Sequence, residues 1–231
     1  MSSQDVNSRM IENEWFGEIP EELSAILEKE AMPRSLVDGE LLHVKGDEAE
    51  GVYLVVSGRV RFSTFGLDGQ EMLQTYYEPG NWFGEVSVLD DKARMHDAVA
   101  VGNTKLQLLP KTRFLIMLEE HPELYPYIVK MLCRKIRVIL DVYHDTVFVP
   151  LHARLAKRLL ELAKVYGQEK SDGCLIDFPL PQDELCLMVH GSRQRVNKIL
   201  NGWKNKGWIQ IDYGKISLID MSSLEEVFEE Y

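Results

Sequence analysis

Residues 180–218 carry two helix-forming patterns followed by two short alternating segments, and this order restricts the fold more than any other part of the chain. The first helix begins near Gln182 and ends at Gly191. The second begins at Ser192, whose hydroxyl is suited to cap free backbone N–H groups. The two alternating segments surround Gly214, as in a β-hairpin. This order predicts a winged helix-turn-helix.

Positive charge is concentrated in this segment. The whole chain has 26 Lys and Arg against 37 Asp and Glu, a net charge of −11, which taken alone argues against a nucleic-acid partner. Residues 187–215, however, hold six basic residues and one acidic residue. A local excess of this kind is typical of a surface that contacts phosphates, so we expect double-stranded DNA to be the partner.

The polar edge of the second helix has side chains that match base edges in a major groove. We expect Arg193, Gln194 and Lys198 to read bases, since their donors and acceptors suit that purpose. The residues expected to hold phosphates or orient the helix are Ser192, Arg195, Asn197, Lys204, Lys206 and Lys215, and Asn197 is equally suited to face a base. The alternative is a solvated helix face on a winged helix that binds protein.

The part of the chain from about Ser35 to about Leu109 has the alternating pattern of β-strands, punctuated by Gly-containing turns. The inward positions are expected to be Val52, Leu54, Val56, Val60, Phe62 and Thr64. The pattern predicts an antiparallel β roll of the jelly-roll type, so the whole chain is expected to be an α+β protein.

A long helical pattern follows the His121-Pro122 step and runs to about Phe148, where Pro150 is expected to break it and act as a hinge. Its apolar stripe consists of Ile128, Leu132, Ile136, Ile139 and Tyr143. Such a stripe suits pairing with a second copy of the helix, and the alternative is packing against the β roll of the same chain. Two-fold pairing predicts a homodimer with two recognition helices one DNA turn apart, on a two-fold symmetric operator.

These patterns divide the chain into an effector domain at 1–121, a dimerisation helix and hinge at 122–149, and a DNA-binding domain at 150–231 in which residues 167–173 form a loop. No apolar run approaches the roughly 20 residues that span a bilayer, and the polar N-terminus lacks the features of a signal peptide. We therefore expect a cytoplasmic protein without a membrane partner. The three cysteines, at 133, 174 and 186, fit neither a disulfide framework nor a zinc site.

The chain lacks the residue patterns of the common enzyme classes. It has no nucleophile-elbow glycines with a Ser-His-Asp order, no phosphate loop and no metal-ligand set. We expect it not to be an enzyme.

Three motifs together carry a resemblance to a known family: Val-Val-Ser-Gly-Arg-Val-Arg at 55–61, Trp-Phe-Gly-Glu at 82–85, and Ser192-Arg193. With the roll, the long helix and the winged helix, they make the chain similar to the Crp/Fnr family of bacterial transcription regulators. The resemblance implies a homodimer that binds a small effector in the roll and thereby changes its affinity for DNA. RNA polymerase is a further candidate partner.

The resemblance also places a candidate effector pocket, consisting of Gly84, Glu85, Arg94, Met95, His96, Ile139, Leu140 and Tyr143. In the family's cyclic AMP binders, the Glu meets the ribose hydroxyl and an Arg ten residues later pairs with the cyclic phosphate. That position is Met95 here, and the next residue is His96 where those proteins have Ser. Arg94 lies one residue early, and in an extended segment a slip of one residue would turn it to the opposite face unless a bulge intervenes.

The long helix departs from the same pattern. Cyclic AMP binders offer adjacent Thr and Ser hydroxyls to the adenine, and the matching residues here are Ile139 and Leu140. We therefore expect an effector other than cyclic AMP, or an empty pocket. Glu85 is then equally suited to be a structural carboxylate satisfied by nearby backbone.

The cofactor is left open by the sequence. No Cys precedes residue 133, so an N-terminal iron–sulfur cluster is excluded. Haem stays an alternative, centred on His96 or Met95, and His43 and His144 are further histidines of this part of the chain.

Overall fold

The computed structural model describes residues 21–67, 69, 71–170, 172–177, 181–212 and 214–229. The chain forms two compact units, which meet in sequence between Arg137 and Val138, inside the long helix. Over the described ranges, no helix is both long enough and apolar enough to cross a bilayer.

The N-terminal unit is an antiparallel β roll flanked by helices. Its elements are α1 (Glu21–Lys29), β1 (Met32–Leu36), β2 (Leu41–His43), β3 (Gly51–Phe65), β4 (Glu71–Tyr77), β5 (Trp82–Phe83), α2 (Glu85–Leu89), β6 (Asp97–Pro110), α3 (Lys111–Glu120) and the first part of α4 (Tyr125–Phe148). The strands pair in the order β1-β6-β3-β4, with β2 on β6 and β5 on β3, and every pairing is antiparallel. The predicted roll is confirmed.

Strand β3 separates two apolar clusters, so both of its faces are buried. Val52 packs with Trp82 on one side, whereas Tyr53 and Val55 pack inside the roll on the other. The prediction that Val56 points inward is wrong, since its side chain is 48% exposed. The pairing of β3 with β6 shifts register around residues 55–59, and this irregularity breaks the two-residue period.

The first part of α4 packs against the roll of its own chain. Ile128 is 3% exposed and belongs to the same apolar cluster as Val52. Its prediction as a dimer-interface residue is therefore wrong, because its surface is already covered within the chain. Leu132 is partly buried against that cluster, and the later stripe residues are exposed, at 55% for Ile136 and 66% for both Ile139 and Tyr143.

The C-terminal unit contains the rest of α4 and the winged helix-turn-helix. Its further elements are α5 (Leu151–Tyr166), β7 (Gly167–Lys170), β8 (Gly173–Ile176), α6 (Gln182–Met188), α7 (Arg193–Asn205), β9 (Ile209–Asp212), β10 (Lys215–Leu218) and α8 (Met221–Glu229). The helix-turn-helix and the hairpin are confirmed, although Tyr213 of the hairpin turn lies outside the described residues. Pro150 ends α4 as predicted and stands at the N-cap of α5.

The hairpin belongs to a four-stranded sheet in the order β7-β8-β10-β9. The predicted loop at 167–173 is thus wrong, because Gly167–Lys170 is an edge strand paired with β8. All four residues of β7 are exposed, so the strand has no apolar alternation that the sequence could display.

Candidate functional site

The turn between α6 and α7 positions the start of α7. His190 has a positive φ of 49°, and the amide of Gly191 donates to the carbonyl of Cys186 at 3.0 Å. A Cβ on Gly191 would lie 2.7 Å from a methyl of Leu151 and 3.0 Å from one of Val196, so a larger residue would have to displace these buried side chains. The turn therefore holds the start of α7 against α5.

Ser192 is the N-cap residue of α7, as predicted, but its hydroxyl makes no capping hydrogen bond. Its carbonyl accepts from the amide of Val196 at 3.0 Å. The predicted side-chain cap is wrong, because the exposed hydroxyl is not folded back over the first turn.

Helix α7 has a buried stem and a polar face. Val196, Leu200 and Trp203 are buried. The exposed residues of the predicted DNA-binding set are Ser192, Arg193, Gln194, Arg195, Lys198, Lys204, Lys206 and Lys215. Asn197 departs from the prediction that it points outward: it is half-buried, and its Oδ1 is enclosed without a hydrogen-bond partner in the described part of the chain.

Two of the exposed cations already have carboxylate partners from outside the basic segment. Nη1 of Arg193 lies 3.3 Å from Oδ1 of Asp183 in the first turn of α6. Nζ of Lys215 lies 2.8 Å from Oδ1 of Asp177, which follows β8. The sequence count of local charge missed both pairs, because these acids lie before residue 187.

A third cation is held by an aromatic ring. Nζ of Lys206 lies 4.2 Å from the centroid of the Trp208 ring, a distance at which an ammonium is attracted to the ring face. The contact restrains Lys206 beside the wing.

Arg154 joins the end of α4 to the end of α6, and the sequence reasoning missed it. Its Nη1 donates to the carbonyls of Val149 at 2.8 Å and Thr146 at 3.2 Å, and its Nε donates to the carbonyl of Val189 at 3.2 Å. These carbonyls lie where helices leave acceptors unpaired. The available signal was an Arg placed one helical turn after the helix-breaking Pro150.

An ion pair whose carboxylate is buried joins α2 to α4. Glu85, 1% exposed at the start of α2, accepts from Nζ of Lys135 on α4 at 2.6 Å, and its Oε2 has no hydrogen-bond partner among the described residues. The alternative that backbone satisfies Glu85 is therefore wrong, because the partner is an ammonium group. Burial acts to lower the pKa of Lys135, but Tyr77 and Glu85 outweigh it and the pKa is raised.

Arg94 points into the domain, so the expectation that it faces the other way is wrong. Its Nη1 donates to the carbonyl of Gly84 at 2.9 Å and its Nη2 to that of Gly51 at 2.7 Å. Residues 92–95 are not a strand, so their side chains do not alternate between two faces. Gly84 makes room for this guanidinium, since a Cβ there would come within 2.7 Å of Nη1.

The other predicted pocket residues differ in how exposed they are. Met95 is 47% exposed, and its place in the pocket stays a prediction. His96 is half-buried with its ring 5.4 Å from that of Phe62, and burial lowers its pKa. Ile139, Leu140 and Tyr143 are exposed side chains on the part of α4 that belongs to the C-terminal unit. No metal-binding group of three His, Cys, Asp or Glu occurs in the described ranges.

Models of known families match both the β roll and the helix-turn-helix. Residues 33–121 match the family model of the cyclic nucleotide-binding domain, and residues 153–227 match that of the Crp-like helix-turn-helix domain. The chain belongs to the Crp/Fnr family. It is accordingly a transcription regulator with an effector domain and a helix-turn-helix domain for DNA.

Members of the Crp/Fnr family resemble the chain over most of its length. A CRP-like cAMP-activated global transcriptional regulator of Mycobacterium tuberculosis is 28% identical over 198 residues, which are 86% of this chain and 88% of that one. A cyclic AMP receptor protein of Thermus thermophilus is 29% identical, covering 92% and 95%. The solved structure of a CooA mutant from Carboxydothermus hydrogenoformans superposes with a TM-score of 0.74 at 25% identity, covering 90% and 91%. The two curated relatives are named as regulators rather than as enzymes.

Proposed function

We propose that two copies of the chain pair through α4 and bind a two-fold symmetric operator in double-stranded DNA. The observation that carries this proposal is the polar face of α7, where Arg193, Gln194 and Lys198 are exposed above a buried stem. These side chains suit base edges. Arg195, Lys204, Lys206 and Lys215 are exposed for phosphate contacts, and Asn197 is assigned to orienting the helix.

The dimer interface is proposed to be the exposed later half of the α4 stripe. Ile136, Ile139 and Tyr143 are each more than half exposed and recur at helical spacing. Apolar surface of this extent on one helix face is typical of a contact with another copy. Leu132 borders this face, whereas Ile128 is left out of it because the roll covers it.

The effector is proposed to bind in the roll beside Glu85 and to be a molecule other than cyclic AMP. Two observations support this. Ile139 and Leu140 offer no hydrogen bond to a base, and Glu85 is already engaged by Lys135. The replacement of the phosphate-binding Arg by Met95 does not add to this support, because the guanidinium of Arg94 lies beside the carbonyl of Gly84.

Sedimentation and DNA titration of the full chain test the proposal together. Ile139→Asp buries a charge in the proposed interface, so we expect it to give monomers and to weaken operator binding. Val56→Asp, at a 48% exposed apolar position of the roll, is the matched control and should leave the dimer intact. A dimer that is equally stable in both variants would place the interface elsewhere.

A further inference from the structure

Two carboxylates pair with cations of the proposed DNA-binding surface. Asp183 and Asp177 lie in different parts of the C-terminal unit, one on α6 and one after β8. Each nevertheless pairs with a cation that we assign to DNA, Arg193 in one case and Lys215 in the other. The basic surface is therefore partly neutralised by the chain itself.

Both pairs are exposed, so they can open. The side chains of Arg193 and Asp183 are 67% and 68% exposed, and those of Lys215 and Asp177 are 52% and 41% exposed. Nη1 of Arg193 lies 3.3 Å from Oδ1 of Asp183, which is longer than the usual N–H···O hydrogen bond. An exposed pair of this kind contributes little to folding.

In the ranges that the structure describes, the carboxylate of Asp177, unlike that of Asp183, has a hydrogen-bond partner besides its cation. Its second oxygen accepts from Nε2 of Gln168 at 2.7 Å, and Lys215 holds the pKa of this carboxyl below its ordinary value. The carboxylate is thus oriented beside Lys215 and charged at neutral pH.

Given the proposed DNA-binding function, on which this rests, we infer that Asp183 and Asp177 are affinity-limiting residues that compete with DNA for Arg193 and Lys215. DNA must break both pairs to use these cations, and the carboxylates then lie close to the phosphates, which they repel. The repulsion between carboxylate and phosphate is independent of sequence, so it lowers binding to random DNA as well as to the operator. It keeps an acidic regulator from binding the bulk of DNA tightly.

Asp183→Asn and Asp177→Asn test this inference by fluorescence titration of a random-sequence duplex over a range of salt concentrations. Each variant should bind about two- to fivefold more tightly than the wild type at fixed salt. The slope of log K against log salt should become steeper by up to about 0.9 for each carboxylate removed from each protomer. Glu225→Gln, which removes an exposed carboxylate of α8, is the matched control.

The outcomes separate this inference from the proposed function. If the wild type fails to bind DNA, the proposed function is wrong. If the wild type binds and both Asn variants behave like Glu225→Gln, the inference alone is overturned. Weaker operator binding by Asp183→Asn would also overturn it, because Asp183 would then hold Arg193 in its binding position rather than compete for it.

Discussion

Arg193→Ala tests whether Arg193 reads a base of the operator. Arg193 is the first residue of α7, its side chain is 67% exposed, and its one ion-pair partner in the described part of the chain is Asp183. A bidentate contact to guanine is worth about 1–3 kcal/mol. The wild type must give up an exposed ion pair worth at most about 1 kcal/mol to form it. We therefore expect Arg193→Ala to lose about 1–2 kcal/mol at the operator, which is roughly 5- to 30-fold in affinity.

Arg193→Ala should weaken binding to random DNA much less than binding to the operator. On random DNA, Arg193 provides at most one screened phosphate contact, so we expect a loss of less than about threefold. The assay is a fluorescence anisotropy titration of both duplexes at one salt concentration. Lys164→Ala, which removes an exposed cation of α5, controls for net charge. Equal weakening on both duplexes would refute the base-reading role and make Arg193 a phosphate contact.

The remaining predictions concern the roll. Calorimetry with cyclic AMP should show only weak binding, since two missing hydrogen bonds alone weaken binding roughly 30-fold, and micromolar binding would contradict this. Lys135→Met should reduce the free energy of unfolding by about 3 kcal/mol because it strands the buried Glu85, and adding Glu85→Gln should recover part of the loss in urea titrations. Burial, and then Arg94, lowers the pKa of His43 to about 3. The unfolded chain therefore binds the proton first as the pH falls below about 6.5, and stability drops by at most about 1.4 kcal/mol per pH unit. The free energy of unfolding of His43→Phe should fall less than that of the wild type between pH 7.5 and 5. An equal fall in both proteins would show that His43 does not cause this pH dependence.

The elements with clear apolar periodicity could be predicted from the sequence. Helix α7 and the β9-β10 hairpin have buried residues at regular spacing, so their existence and boundaries followed from the pattern. Strand β7 could not be predicted, because its exposed residues pair only through the backbone of β8. Val56 was misplaced for a related reason, since a register shift in β3 has no signature in side-chain polarity.

The site residues that were missed all depend on contacts between distant positions. Lys135 meets Glu85 across 50 residues of sequence, and Arg154 reaches Val189 across 35. Arg94 was assigned to the wrong side because the alternation rule was applied to a segment that is not a strand. Single-sequence reasoning supplies residue chemistry and local geometry, but it cannot show which distant charges share one interior.

Selection of binding sites from a random pool of duplex DNA tests whether the chain is a symmetric DNA-binding dimer. We expect the full chain to enrich an inverted repeat whose half-sites are about 10 base pairs apart centre to centre, as two copies of α7 require. Binding to that repeat should fall steeply with salt, with a slope set by the phosphates contacted. Failure to enrich any sequence, or enrichment of a single half-site without symmetry, would contradict the claim that this chain acts as a symmetric DNA-binding dimer.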